Sequence, residues 1–520
     1  MKRGSRRRSG VLMVVLLIVV TAATGLINTR GARAREHTHR RRAAPAQAVV
    51  LSLTVSNRAA GGPIPAGFLG FSFEYPAVEE YAGFDSKAIN PVLVQLIRNL
   101  TPDQRPVLRI GGDTTDWTWW PVPGMTKPGG IRYSLNPTFA RVTAALAHEL
   151  NARLILGINL EADSAAVAGT EARELVGRIG RGPIEALELG NEPELYASFP
   201  WYTTAGGVHV TGRPTSYDFA AYEGDYSRIS AALPNVPLAG PATGAPNWIP
   251  DVGAFLPVEP RVRVATVHRY PLERCYAPAA SPMYPSVAHL LSPAASQGLA
   301  DSVAPEAALA HARRVALRVD ELNSVSCGGA PGVSNVFASA LWALDATFQM
   351  ARVGVDGVNF HTFPGARYEL FNFHRRHGRW RGFVAPEYYG LEMFAQAAPP
   401  DSSLLELSGS LGDVRAWATR APGGAIHVVL INESTGQPRT VAVRIAGAGG
   451  PATLERLRAP GVTALTGVTL GGQTFGTATT TGIPKGRSTV STLKPARGTY
   501  VVALSQASAA MLTLTPRPSA

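Results

Sequence analysis

Acidic and amide side chains crowd the points where apolar runs of this sequence break off. The stretch LELGNEPELY (187–196) closes such a run at Gly190 and at once presents Asn191, Glu192, Pro193 and Glu194. The run VALRVDE (315–321) ends in Asp320 and Glu321, with Asn323 just beyond, and GFLGFSFE (67–74) ends in Glu74 before Tyr75. PVLRIGG (106–112) opens into Asp113, Asp116 and Trp117. VRVATVHR (262–269) delivers His268 and Tyr270, and VDGVNFHT (355–362) delivers His361. No lysine stands at any of these ends.

Carboxylates gathered about one cavity suit either a hard cation or acid–base work on an uncharged substrate. No H-x-H or HExxH spacing accompanies His268 and His361, so neither a metal nor another cofactor is expected. Cleavage of a glycosidic bond needs two carboxyl groups, one protonated to release the leaving oxygen and one ionised to attack the sugar carbon. Glu192 and Glu321 are the natural pair. Alternation along IEALELGNE puts Glu188, Gly190 and Glu192 on the side of a barrel axis, Glu188 one step too deep and Glu194 one step too high. Asp320 and Glu321 point opposite ways, and spacing alone leaves open which faces inward. Trp117, Trp119 and Trp120 offer flat faces on which a pyranose can stack.

These ends need a scaffold that collects them. From residue 65 to 398 the runs above, together with RLILGIN (153–159), IEALELG (184–190) and VPLAGPA (236–242), make eight strands. Between them stand amphipathic segments such as PTFARVTAALAHELN, apolar at intervals of three and four. Eight strand-then-helix units predict an α/β chain folded as a (β/α)₈ TIM barrel, whose functional groups gather at the carboxyl ends of its strands. An open doubly wound sheet would carry a Gly-rich phosphate loop after its first strand, where this chain has FEYPAVEEY. Over 399–520 the texture changes to β-like runs between Gly, Pro, Ser and Thr turns, which predicts an all-β sandwich domain. Residues 49–64 carry a short strand expected to join that domain.

The formal charge of +12 invites a nucleic-acid reading, but its distribution excludes one. Residues 1–48 hold eleven Lys and Arg and one acid, which leaves 38 basic and 36 acidic residues, a net of +2. That leader joins the basic MKRGSRRRSG to an uncharged apolar stretch of 17 residues and then to A-x-A sites at Ala32–Ala34 and Ala46–Ala48. It reads as a signal peptide and basic linker, so the protein is expected to be secreted; membrane attachment follows only if the segment stays uncleaved as an anchor. In an exported chain the two cysteines, Cys275 and Cys327, permit one disulfide.

Taken together, LRIGGDTTDW, LELGNEPELY, VHRYPLERC and VDELNSVSCGG resemble glycoside hydrolase family 79, the β-glucuronidase and heparanase family of clan A. The resemblance runs from residue 49 to the end, because GDVRAWATR and ASAAMLTL look like that family's carboxy-terminal β-domain. It implies a retaining β-glucuronidase acting on a glycoside or uronic-acid-containing saccharide from its end. Glu192 would be the acid/base and Glu321 the nucleophile. Asn191 would bond the sugar 2-hydroxyl, and Tyr270 would orient Glu321. Glu74, Asp113, Trp117, His268 and Tyr368 are the further expected substrate contacts. Cys275 and Cys327 lie just past neighbouring strands, so a bridge between their loops is sterically reasonable and would brace the loop carrying Glu321. For the donors to a glucuronate carboxylate, the region of Ser326 and HTFPGARYELF offers Tyr368, Arg367 and the backbone at Gly365. The same scaffold also supports neutral β-glycosidases and endo-acting, heparanase-like hydrolases. FNFHRRHGRWRGF, with Arg375, Arg376, Arg379 and Arg381, is a loop able to grip acidic chains. A sugar-binding protein on a dead barrel is the alternative outside catalysis, and the paired glutamates argue against it.

Overall fold

The computed structural model describes residues 51–515, so the leader expected over 1–48 lies outside the described residues. Eight parallel strands close into a barrel: β1 (Leu69–Glu74), β2 (Val107–Gly111), β3 (Arg153–Ile158), β4 (Ile184–Leu189), β5 (Leu238–Thr243), β6 (Val262–Arg269), β7 (Ala316–Leu322) and β8 (Gly357–His361). Each expected apolar run overlaps one of them, with ends that differ by at most two residues.

The lowest layer inside the barrel is apolar and small: Val107, Ile155, Ala186, Ala239 and Val264. Two residues further along the same strands, on the same parity, come Arg109, Gly157, Glu188, Pro241 and Thr266. The interior therefore changes from hydrocarbon to charge within one pleat. Gly157 is required there, because a Cβ at that position would stand 2.4 Å from the Thr115 hydroxyl.

The β-domain is one continuous sheet of ten strands. Its two halves fold over a shared core of Leu53, Val55, Val428, Leu430, Val443, Val502 and Leu512, which makes the expected sandwich out of a single curled sheet. The strand Leu51–Pro63 lies inside it, antiparallel to Ser403–Ser410 and parallel to Arg439–Ile445. Among the described residues no helix is long and apolar enough to cross a membrane.

The helix Phe337–Arg352 between β7 and β8 is apolar nearly all round, and every side chain from Phe337 to Met350 is buried. The reason is that the β-domain covers its outer face. The amide of Phe337 donates to Ala464 and that of Ala338 to Val462, which satisfies helix-end donors that have no partner within a helix. Trp417 stacks on Phe348 at 5.4 Å and donates its indole N–H to the buried Asp345 at 2.7 Å. Trp417→Ala should cost about 3 kcal/mol of unfolding free energy, since it opens a cavity and strands a buried carboxyl. Trp417→Phe, which keeps the stack, should cost about 1 kcal/mol. Urea denaturation followed by far-UV circular dichroism measures both.

Candidate active site

Two local irregularities set the acidic side chains in place. On β7 the pairing with β6 steps from Val267 opposite Val319 to His268 opposite Glu321, passing over Asp320. The pairing with β8 likewise steps from Val319 opposite Val358 to Leu322 opposite Phe360. A residue left over in this way is a bulge, and it lets Asp320 and Glu321 both face the axis. Asp320 is fully buried and Glu321 is 7% exposed at the cavity floor. The choice that spacing left open between the two is therefore no choice: both are inward, at different depths.

Glu192 reaches the cavity by another route than the alternation expected for it. The strand ends at Leu189, after which Gly190 (φ 86°) and Glu192 (φ 45°, ψ 57°) are both left-handed. A Cβ at residue 190 would lie 2.6 Å from the Tyr196 hydroxyl. For a glutamate the left-handed region costs roughly 1–2 kcal/mol, so neighbours must impose it. The Glu192 amide donates to Ala242 of β5 at 2.9 Å. The Asn191 amide (3.0 Å) and the Tyr196 hydroxyl (2.6 Å) both donate to Asp116. The other oxygen of Asp116 accepts from the amides of Leu160 and Glu161 at 2.8 and 3.0 Å, so one buried carboxylate ties the exits of β3 and β4 together.

The result is a tight pair. An oxygen of Glu192, one of Glu321 and a ring nitrogen of His268 all lie within 4.8 Å of one another. Arg109, fully buried in the middle of β2, holds the floor of the site. It donates to Glu188 (2.8 Å), Glu321 (2.6 Å), the Asn191 side-chain oxygen (2.8 Å) and His268 Nε2 (3.3 Å). Because a guanidinium only donates, His268 Nε2 must accept, which places the imidazole proton on Nδ1. Nδ1 then donates to Glu192 Oε1 at 3.0 Å, leaving Oε2 to carry the acidic proton. Asn191 presents its NH₂ to the cavity, since its oxygen is taken by Arg109.

The two glutamates have opposite electrostatics. Burial first, and then the charge of Glu321, push Glu192 up to about 8. Burial alone would also raise Glu321, but the charges of His361 and Arg109 and the Tyr270 hydroxyl, which donates to it at 2.8 Å, hold it far below the usual carboxylate range. One carboxyl keeps its proton at neutral pH while its neighbour stays ionised. A pair so divided can protonate a leaving oxygen and attack the carbon that oxygen leaves.

The other expected residues divide. Asp113 stands solvent-accessible inside the mouth, raised to about 8 by enclosure and then by Glu74, Glu192 and Glu321. Glu74 spends its carboxylate on the Asp113 and Thr114 amides and on the Thr114 hydroxyl, and meets His361 at 3.3 Å. Tyr368 is buried, with ring centroids 6.1 Å from Tyr270 and 5.9 Å from His361. One face of the half-buried Trp117 is covered by the Arg132 guanidinium, 3.6 Å over its ring. Trp119 and Trp120 are buried in the packing beneath the loop, out of a sugar's reach. The Gly365 amide is occupied by Glu369, and Arg367 is exposed. Cys275 and Cys327 form a disulfide with Cα atoms 6.3 Å apart. Missing from the expectation was Arg109. Its signal was present: an arginine on the inward parity of an otherwise apolar strand must find its partners inside the barrel.

Residues 416–511 match the glycosyl hydrolase family 79 C-terminal beta domain. A β-glucuronidase of Neurospora crassa is 24% identical over 396 residues, covering 68% of this chain and 67% of that protein. The fold is similar to a 4-O-α-L-rhamnosyl-β-D-glucuronidase from Fusarium oxysporum (TM-score 0.69, 21% identity, 89% of this chain and all of that one). It is also similar to a family 51 arabinofuranosidase from Xanthomonas axonopodis pv. citri (TM-score 0.63, 16% identity, 90% of this chain and all of that one).

Arg109→Met should destabilise the fold by roughly 3–5 kcal/mol, because Glu188, Asp320 and Glu321 would then face one another with no buried cation. Arg109→Lys should recover part of this, since a single ammonium replaces the charge without the fork. Chemical denaturation of the three proteins gives the order.

Proposed function

We infer that this chain is a member of glycoside hydrolase family 79 and an exported retaining β-glucuronidase that removes the terminal sugar of its substrate. The observation that carries the reading is the pair Glu192 and Glu321, with oxygens within 4.8 Å and opposite protonation. Double displacement asks for roughly 5–5.5 Å between carboxyl groups, and an inverting site would need room for a water between them. Glu321 attacks the anomeric carbon while Glu192 hands its proton to the departing oxygen. The Asn191 NH₂ meets the sugar 2-hydroxyl as positive charge develops on the ring. A water, relieved of its proton by Glu192, then cleaves the glycosyl ester.

That the sugar is a glucuronide is supported by the activities named for the Neurospora crassa and Fusarium oxysporum proteins. Tyr368, buried beside Tyr270 and His361, is the side chain best placed to donate to a uronate carboxylate. An endo-acting reading on acidic polymers draws on the hairpin Phe371–Arg376 and Arg379–Val384. There Arg376, Arg379 and Arg381 line a cavity of about 500 Å³, and Arg375 is exposed on the same hairpin.

Nitrophenyl β-glucuronide should be hydrolysed at least 100-fold faster than nitrophenyl β-glucoside, with heparan sulfate left intact, because unpaired buried donors reject a sugar lacking the carboxylate. Glu321→Gln should abolish turnover of the glucuronide. Glu192→Ala should retain far more activity on this activated leaving group than on a methyl glucuronide. Equal losses on both substrates would contradict the acid role.

The kcat/KM profile should fall as pH rises through about 8, where Glu192 loses its proton, and hold on the acid side until Glu321 gains one, below the usual carboxylate range. Asp113 titrates in the same upper window, so Asp113→Asn should leave the basic limb in place and Glu192→Ala should remove it.

A further inference from the structure

The loop after β6, residues 271–286, is held unusually firmly for a segment with no helix or strand of its own. Leu272 bridges to Val325, and the Ser326 amide donates to Leu272 at 3.0 Å. Glu273 accepts from the Ser326 hydroxyl at 2.5 Å, and its own amide donates to Met283 at 2.8 Å. Arg274 donates to the Gly329 carbonyl at 3.0 Å, and the Cys275–Cys327 disulfide closes the base. A loop so pinned has the means to bury its apolar side chains. It instead leaves Tyr276 57%, Met283 45% and Tyr284 43% exposed.

A second loop meets it. Phe199, 40% exposed, packs edge-to-face on Tyr276 with centroids 5.6 Å apart and planes at 82°. Two successive turns lead to it from Glu192: the Leu195 amide donates to the Glu192 carbonyl and the Phe199 amide to the Leu195 carbonyl, both at 2.9 Å. The charges of Glu192 and Asp113 also reach the Tyr276 hydroxyl and help, after burial and Glu273, to raise it. The pair thus spans the rim between the loops of β4 and β6, on the side of the cavity where Glu192 stands. Isolated exposed aromatics are ordinary on a protein surface. Two from separate loops, in mutual contact on a rigid base beside a cavity, mark a binding surface.

We propose that Phe199 and Tyr276 form the aglycone subsite, taking a leaving group with a flat apolar face, either an aryl ring or the less polar face of a second sugar. The placement rests on reading Glu192 as the acid, because the group that receives the acid's proton must lie on the acid's side of the cleaved bond. The disulfide, which joins the loop after β6 to the loop after β7, also fixes Tyr276, the residue next to Cys275, against the entropy that would otherwise blur the platform.

The test is a ratio. For the wild type, Phe199→Ala, Tyr276→Ala and Tyr276→Phe, kcat/KM is measured on phenyl and methyl β-glucuronide and on a β-linked glucuronyl disaccharide, with the glycosyl fluoride as a substrate that has no aglycone to stack. The phenyl-to-methyl ratio should fall about fivefold in each alanine variant and hold in Tyr276→Phe, while the fluoride is processed unchanged. A parallel fall for the disaccharide assigns the surface to sugars as well as aryl groups; a fall for phenyl alone assigns it to aryl groups. Ratios unchanged for both, or a matching loss on the fluoride, overturn the proposal. The ratio is read on whichever glycoside the enzyme turns over, so an error in the sugar leaves it intact, and an error in the acid shows separately in Glu192→Ala.

Discussion

A single guanidinium in the barrel core organises the site. Arg109 has no exposure to solvent, and its donors are spent on Glu188, Glu321, Asn191, His268 and Ser72. A buried cation is tolerable only where anions and acceptors surround it, and those anions are tolerable only because of the cation. Each member thereby fixes the rotamer of the next. The link to Glu188 anchors Arg109 from below. The link to Glu321 aims one of that residue's oxygens inward and leaves the other to Tyr270. The links to Asn191 and His268 decide which atoms of the amide and the imidazole are left to face a substrate. Preorganisation here is the ordinary consequence of pairing buried acceptors around one buried cation.

The backbone supplies what the hub cannot. A regular β7 would send Asp320 and Glu321 to opposite faces, and a regular extension of β4 would leave Asn191 or Glu192 looking away. The bulge on β7 and the left-handed turn after β4 abolish that alternation at the two places where adjacent residues must both reach the cavity. Both departures are maintained from outside their own strands: by the register of β6 and β8 in one case, and by Asp116 and Ala242 in the other.

This explains what could be read in the sequence and what could not. The eight barrel strands were legible because each is an apolar run closed by glycine or a polar cluster, and because the intervening segments repeat at helical spacing. The cover on the helix Phe337–Arg352 left no mark in its sequence, since an all-round apolar pattern does not say what packs on it. Glu192 was selected on an alternation that ends three residues before it; the residue is at the cavity for a different physical reason. The Asp320/Glu321 ambiguity was a real property of the sequence, because a bulge is set by the partners' register and leaves no local mark. At Trp117 the residue type suggested a sugar platform and gave no sign that Arg132, fifteen residues away, covers one face of the ring.

Why two glutamates a few ångströms apart should differ so far follows from counting charges. Arg109 and His361, the latter tilted toward imidazolium mainly by Glu321 against the opposing effect of burial, stand beside two ionised carboxylates, Glu188 and Glu321. Asp320 is raised by burial and by Glu188, and neither of its oxygens has a hydrogen-bond donor to stabilise a charge; it stays neutral. Burial and the negative charge already on Glu321 together disfavour a further negative charge at Glu192, and the proton stays. In the proposed reaction, esterification of Glu321 removes one of the two negatives and leaves the cluster with an excess of positive charge. Burial still favours the neutral form of Glu192, but the repulsion from Glu321 is gone, so its pKa falls and the residue that acted as an acid in the first half of the cycle can act as a base in the second without moving.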